Sequence, residues 1–318
     1  MIRLSAGTAA CLKLSHNRMD ASPTTAYLLS GEHCVMNCAF CPQGNSDNNS
    51  LSRLGRISWP TYEWSNVEDK LACAYKHEIR RICLQSVRYR EGVNPLLDTI
   101  KKLKSLTSLP LSLSAWIRSE DEAALLFQSG VERVSISLDV ANPDVFQKIK
   151  GGSLGERLDL LLRCAGMFPG RMTTHLICGL GETELEMITL IDRLVKNKIT
   201  VALFAFVPLR GTALAGMQPP RVDSYRRIQA ASYLLRCKTG SFPSFIFDEQ
   251  GILKSYGIPK SILRNNLDSA KAFRTSGCPD CNRPYYNERP GGTIYNYPRE
   301  LNRTEAEAEI ELLLKSIE

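Results

Sequence analysis

A short β-prone run, Thr24 to Ser30 (TTAYLLS), leads almost directly into Cys34-Val-Met-Asn-Cys38-Ala-Phe-Cys41. This arrangement favours folds that present a loop of three closely spaced thiols at the carboxyl end of a strand. There each thiolate can hold one iron of a cubane [4Fe–4S] cluster, which leaves a fourth iron without a protein ligand and open to chemistry. Two plainer readings stand beside that one. Half of a structural zinc site needs a second cysteine pair or His partners, and here the nearest His is His33. Three unconnected buried cysteines is the other.

Downstream of the loop, strand-like and helix-like runs alternate. Strands are predicted at 79–85, 110–117, 131–138, 172–178, 199–206 and 243–247, the last ending at Asp248. Helices are predicted near 65–77, 95–106, 119–129, 153–166, 182–197 and 222–237. Ser119 with Glu122 three residues on has the spacing of a capping box. Parallel β/α units in this number predict an α/β fold, a (βα) barrel that is complete or nearly complete. The expected organisation is an amino-terminal extension over 1–23, a barrel over 24–265 and a tail over 266–318. The run from Pro42 to Pro60, rich in Asn, Ser and Gly, reads as an exposed loop. In the tail a final helix is expected to open at Thr304 with Glu307 as its capping partner. Ala306, Ile310, Leu313, Leu314 and Ile317 would then share one face.

Composition narrows the setting. With 43% hydrophobic and 8% aromatic residues, 318 residues can bury a substantial core. Eleven cysteines with no apparent signal segment predict a reducing cytoplasm rather than a disulfide framework. No apolar run approaches the length of a membrane span. The net charge of +7 is spread over short clusters such as Arg80-Arg81. That suits an anionic cofactor and an acidic protein partner, and gives no support for nucleic acid.

In a parallel barrel, reactive groups gather at the carboxyl ends of the strands. Gln85 and Ser86 close the second strand. At the fourth, Ser137 and Asp139 stand at alternate positions and can accept hydrogen bonds from ribose hydroxyls, unless Asp139 only caps the turn at Asn142-Pro143. Arg157 lies in a helix's first turn, where a cation is electrostatically awkward and suits an anionic partner, although most helix arginines face solvent. Gly179-Leu-Gly-Glu182-Thr joins the fifth strand to its helix, with glycines that permit close approach of a ligand. Cys278-Pro-Asp-Cys281 in the tail reads as a cluster or metal half-site or as a redox dithiol. Two cysteines cannot close a cluster, so Cys83 in the barrel, or Cys11 in the extension, is the expected partner. Cys73, Cys164 and Cys237 read as small core residues.

The cysteine spacing with Phe40 before its last member resembles the radical S-adenosylmethionine (SAM) superfamily. The resemblance implies that SAM chelates the open iron through its amine and carboxylate, with Phe40 against the adenine. An electron then releases a 5'-deoxyadenosyl radical, which abstracts hydrogen from an unactivated C–H bond. Residues 24–215 are similar to the biotin synthase branch. In that branch Ser137 and Asp139 match an Asn-x-Asp that contacts ribose and substrate, and Arg157 matches an Arg that contacts the methionyl group. Gly179 to Thr183 is present intact. Leu84-Gln85-Ser86 stands where many members carry Gly-Gly-Glu, so that contact falls to backbone carbonyls or Gln85. Of the three barrel cysteines that hold biotin synthase's auxiliary cluster, only Cys83 is matched, which speaks against biotin synthesis.

The Arg81-Ile-Cys-Leu-Gln85 strand and the Cys-Pro-x-Cys-Asn-Arg-Pro tail resemble the two-protein lipoyl synthases of many archaea and some bacteria. That likeness implies a second iron–sulfur cluster on Cys278, Cys281 and Cys83, sacrificed as the sulfur donor to a protein-bound octanoyl chain. It also implies an octanoylated carrier protein or domain as substrate, a second radical SAM protein and a low-potential electron donor. The alternatives are a small-molecule radical enzyme without sulfur insertion, and a non-catalytic metal-binding subunit.

Overall fold

A computed structural model describes residues 1–17, 19, 21–44, 53–284, 286, 288 and 291–318. The Asn- and Ser-rich part of the expected loop, 45–52, lies outside the described residues, as do four positions of the irregular tail.

The amino-terminal strand β1 (Ile2–Leu4) and helix α1 (Ala6–Cys11) precede β2 (Thr25–Ser30), all six of whose residues are buried. Then come short strands β3 (Arg53–Leu54), β4 (Ile57–Ser58) and β5 (Thr61–Tyr62), and helix α2 (Trp64–Ala72). The βα units continue with β6 (Arg81–Ser86), α3 (Leu97–Leu106), β7 (Leu111–Ser114), α4 (Glu120–Gln128), β8 (Arg133–Ser135), α5 (Pro143–Lys150) and α6 (Leu154–Met167). They end with β9 (Met172–Cys178), α7 (Glu184–Lys196), β10 (Thr200–Ala205) and α8 (Val222–Cys237). The last elements are β11 (Ile246–Phe247), β12 (Leu253–Ser255), α9 (Lys260–Leu267) and α10 (Arg303–Lys315). No helix of the described residues is long and apolar enough to cross a membrane.

Six strands, β2 and β6 to β10, lie side by side in chain order, every neighbouring pair parallel. β1 and β5 extend the β2 side antiparallel. The expected extension is thus part of the sheet, because Arg3 and Leu4 pair with Leu29 and Leu28. Apolar side chains from the helices and the outer sheet face form the large core, while Tyr27, Leu29, Trp59 and Tyr286 make a smaller cluster.

Four local expectations change. The run 243–247 is not a barrel strand: β11 pairs antiparallel with β12 in a separate hairpin, turned by Asp248 Oδ1 accepting from Gln250 N and Ile252 N. Asn142-Pro143, read as a turn, starts α5, with Asn142 capping Val145 N and proline at the tolerated first position. The capping box of α10 is Asn302 with Glu305, two residues earlier than Thr304 with Glu307, and Glu307 pairs with Arg264 on α9 instead. At α4 Ser119 caps Glu122 N, but the Glu122 carboxylate takes Arg118 N rather than closing a box.

The sheet leaves β10 with a free edge, and the tail covers it. Leu203 N donates to Ser276 Oγ (2.9 Å) and Leu203 O accepts from Arg283 Nη2 (3.2 Å). The same segment reaches β2, where Thr24 and Thr25 hydroxyls both donate to Asp280 O and Thr24 N donates to Asn282 Oδ1. One irregular strap therefore spans the gap between the first and last parallel strands.

Candidate active site

A cavity of about 300 Å³ runs through the barrel. Cys34, Cys38 and Cys41 line one end, and Cys83, Cys278 and Cys281 line it further in.

The first group is held by its backbone. Gly31 leaves β2 with φ +93°, and a Cβ there would meet Val87 Cγ2 at 2.2 Å, so only glycine permits this exit into the loop. Ala39 N donates to Ile149 O (2.8 Å) and Ala39 O accepts from Leu214 N (3.2 Å), pinning the loop between α5 and the segment after β10. Arg88 N donates to Cys34 Sγ at 3.3 Å. Burial pushes the Cys38 thiol up to about 11 and the Cys41 thiol to about 12, and the charges of neighbouring cysteines add to it. Thiols so placed become thiolates when a metal replaces their protons. Among the described residues no three His, Cys, Asp or Glu side chains converge on the position of one ion. A cubane asks for something else, since it takes each cysteine on a different iron. The donor set fits such a cluster, and Phe40, half-buried, lines the cavity beside it.

The wall at the end of β8 differs from expectation in its partners. Ser137 and Asp139 both line the cavity, but Ser137 Oγ is 3.0 Å from His175 Nδ1 and 3.4 Å from Ser114 Oγ. Asp139, at φ +65°, is not a helix cap; its Oδ2 accepts from Lys150 Nζ (2.6 Å). Lys150 also donates to the carbonyls of Ser137 and Leu138. His175 is pushed down to about 4 by burial, so a neutral imidazole faces the cavity.

Arg157 reaches the cavity and does not face solvent. Its guanidinium stacks on Trp116 at 4.0 Å while Arg88 covers the same ring at 4.4 Å. Its Nη1 donates to Ile117 O (2.6 Å), and its Nε is buried with no hydrogen-bond partner among the described residues. Burial, then Arg88, pushes its pKa down to about 10. Two stacked cations with an unused donor make a place for an anion.

Gln85 Nε2 donates to Tyr286 OH (2.7 Å), toward the tail. Gly179 and Glu182 do not line the cavity. The Glu182 carboxylate folds back onto Gly179 N (2.7 Å) and Leu180 N (3.0 Å), and a Cβ on Gly179 would meet Pro220 at 2.8 Å. These residues shape their own loop.

The second group brings together the cysteines that sequence paired only by elimination. Cys83, at the middle of β6, is pushed up by burial and then by Cys281 and Cys278; Cys278 is raised by burial and by Cys281. Arg81 Nε donates to Pro279 O, and its Nη1 donates to Ser112 Oγ, which lines the cavity with Cys278. Arg283 lies over Phe204 at 4.0 Å. Cys11 donates to His77 O and is not on the cavity, and Cys237 is exposed rather than in the core. Lys150, Arg88, Trp116, His175, Tyr27 and Arg283 escaped sequence reasoning. The sole advance signal among them is that His175 lies in β9, the strand beside β8, which Ser137 follows by two residues.

A family model described as Radical SAM superfamily matches residues 28–194, more than half of the chain. The GTP 3',8-cyclase of Peptoclostridium acidaminophilum is 32% identical over 124 residues, 38% of this chain and 37% of that protein. The biotin synthase of Acaryochloris marina is 20% identical, covering 57% of this chain and 52% of the relative. The chain thus spans about half or less of the length of these curated relatives. The FeFe-hydrogenase maturase HydG from Carboxydothermus hydrogenoformans superposes with a TM-score of 0.52 at 15% identity, over 92% of this chain and 66% of that one, a likeness of fold.

Proposed function

Because the chain belongs to the radical SAM superfamily, whose members use a [4Fe–4S] cluster and SAM, we propose that it cleaves SAM reductively and inserts sulfur into an unactivated C–H bond, in the manner of a lipoyl synthase. The observation that carries this reading is the single cavity shared by two cysteine groups.

A [4Fe–4S] cluster on Cys34, Cys38 and Cys41 would supply the electron that splits SAM into methionine and a 5'-deoxyadenosyl radical. A second cluster on Cys83, Cys278 and Cys281 would supply the inserted sulfur. The chain's own residues do the positioning. Arg157 and Arg88 hold the methionyl carboxylate, and Phe40 lies against the adenine. Asp139, set by Lys150, accepts from ribose. In the same cavity Leu29, Ile177, Phe204 and Tyr286 present apolar lining suited to an alkyl chain and unfavourable to water. The substrate in this reading is an octanoyl chain on a carrier protein or domain. A second radical SAM protein and a low-potential electron donor complete the system, and the 266–318 tail serves as a wall of the site.

The test is anaerobic reconstitution of the wild type and of Cys278→Ala/Cys281→Ala, with iron counts before octanoylated carrier peptide and SAM are added. About eight irons against about four, and sulfur gained by the peptide with wild type alone, supports the reading. Equal counts of about four with equal SAM cleavage overturns it. The second reading, a radical enzyme acting on a small molecule without sulfur insertion, then takes its place. The likeness to GTP 3',8-cyclase favours that reading.

A further inference from the structure

Tyr27 stands against the second cysteine group and has no part in the chemistry above. It sits on β2 with 2% of its surface exposed, its ring edge-on to Tyr286 at a centroid distance of 5.7 Å. Its hydroxyl oxygen accepts the Arg283 backbone N–H at 2.8 Å. The other polar contact recorded for that hydroxyl among the described residues is Cys281 Sγ, at 3.5 Å. With free thiols either group can be the donor. Once Cys281 binds a metal its sulfur carries no proton, and the phenol alone can donate. Arg283 keeps the geometry rigid, because its guanidinium is fixed by Leu203 O and Ser276 O and its own backbone closes onto the phenol.

We propose that Tyr27 is a positioning residue that sets the reduction potential of the metal group on Cys83, Cys278 and Cys281, by donating its O–H to Cys281 Sγ. This rests on the proposed second cluster. A hydrogen bond to a ligating sulfur withdraws electron density and favours the reduced state, so the potential rises. A merely structural tyrosine would pack the same ring and leave the potential alone.

The test uses the full-length chain carrying Cys34→Ala/Cys38→Ala/Cys41→Ala, so that the second group alone gives a signal. It compares Tyr27, Tyr27→Phe and 3-fluorotyrosine at position 27, a stronger donor, by iron count and by a redox titration followed by electron paramagnetic resonance. The expected result is unchanged iron, a midpoint more negative for Tyr27→Phe, and one more positive for fluorotyrosine. Unmoved midpoints with full iron overturn the inference while leaving the second cluster in place. A background variant without iron overturns the cluster and the inference together. If Tyr27→Phe loses its iron, fluorotyrosine decides by the same shift: upward supports the donor role and no shift overturns it.

Discussion

The ammonium of Lys150 lies 2.6 Å from Oδ2 of Asp139, joining the last residue of α5 to the loop that leaves β8. Both side chains are nearly sealed, at 4% and 13% exposure, and the same ammonium takes two strand-end carbonyls. The pair thus fixes the Asp139 carboxylate in a left-handed backbone at the cavity wall, and Lys150 follows Ile149, whose carbonyl pins the cysteine loop.

Lys150→Met should therefore unfold more easily. Removing one partner of a buried pair strands the other's charge, at a cost of about 3 kcal/mol. Denaturant titration of the apoprotein measures it. Asp139→Asn added to Lys150→Met should recover about 1 kcal/mol or more, since the stranded charge is then gone. Equal midpoints for wild type and Lys150→Met would show that the contact does not hold the strand end.

Gly31→Ala should disturb the cysteine loop without touching a cysteine. The added methyl meets Val87 Cγ2 at 2.2 Å and Tyr89 OH at 2.7 Å, in a backbone conformation that alanine adopts poorly. A cost of about 2–3 kcal/mol follows from overpacking and strain together. Iron retention on Cys34, Cys38 and Cys41 should fall with it. A variant of wild-type stability and full iron content would contradict the reading.

Much of this was legible because long, two-sided burial leaves a plain signature. The runs at 172–178 and 222–237 coincide with β9 and α8, and the cysteine loop follows its strand as expected. Polar partnerships were not legible. Tyr27 and Arg283 meet across 256 positions, and nothing periodic marks either. The stretch of the tail from 276 to 283 has no repeat of 2 or 3.6 to place it, so its closure of the β10 edge appears only when the outward N–H and C=O of Leu203 are followed to Ser276 and Arg283. Ser137 and Asp139 were found as strand-end polar groups, while Lys150 was invisible as the last residue of a helix that read as a turn.

Arg157→Ala should weaken SAM binding. The guanidinium is stacked and desolvated, with an unpartnered Nε, so a carboxylate there gains charge-assisted hydrogen bonds worth about 1.5–3 kcal/mol. That corresponds to a loss of about 10- to 100-fold in affinity. Calorimetry on the oxidised, reconstituted protein checks it apart from turnover. Arg157→Lys should restore little of the loss, because an ammonium cannot reproduce the planar stack on Trp116.

Acid should loosen the end of the tail through Glu305. Its carboxylate accepts from Arg299 Nη1 (2.7 Å), Arg299 Nη2 (2.8 Å) and Asn302 N (2.9 Å), at the start of α10. The Arg299 hydrogen bonds, with help from Asn302, bring its pKa down from 4.5 to about 2. The folded state then binds fewer protons than the unfolded state, so the stabilisation is present in full above pH 4.5 and is lost as the pH falls toward 2. The side chain is 24% exposed and screened by solvent, which limits the effect to about 1 kcal/mol. Glu305→Gln should lower stability by that amount at pH 7 and match wild type near pH 2. The corresponding slope between pH 4.5 and 2 should be flatter in the variant, read from unfolding midpoints taken across that range. Parallel curves for the two proteins would mean that the contact with Arg299 contributes nothing to holding α10.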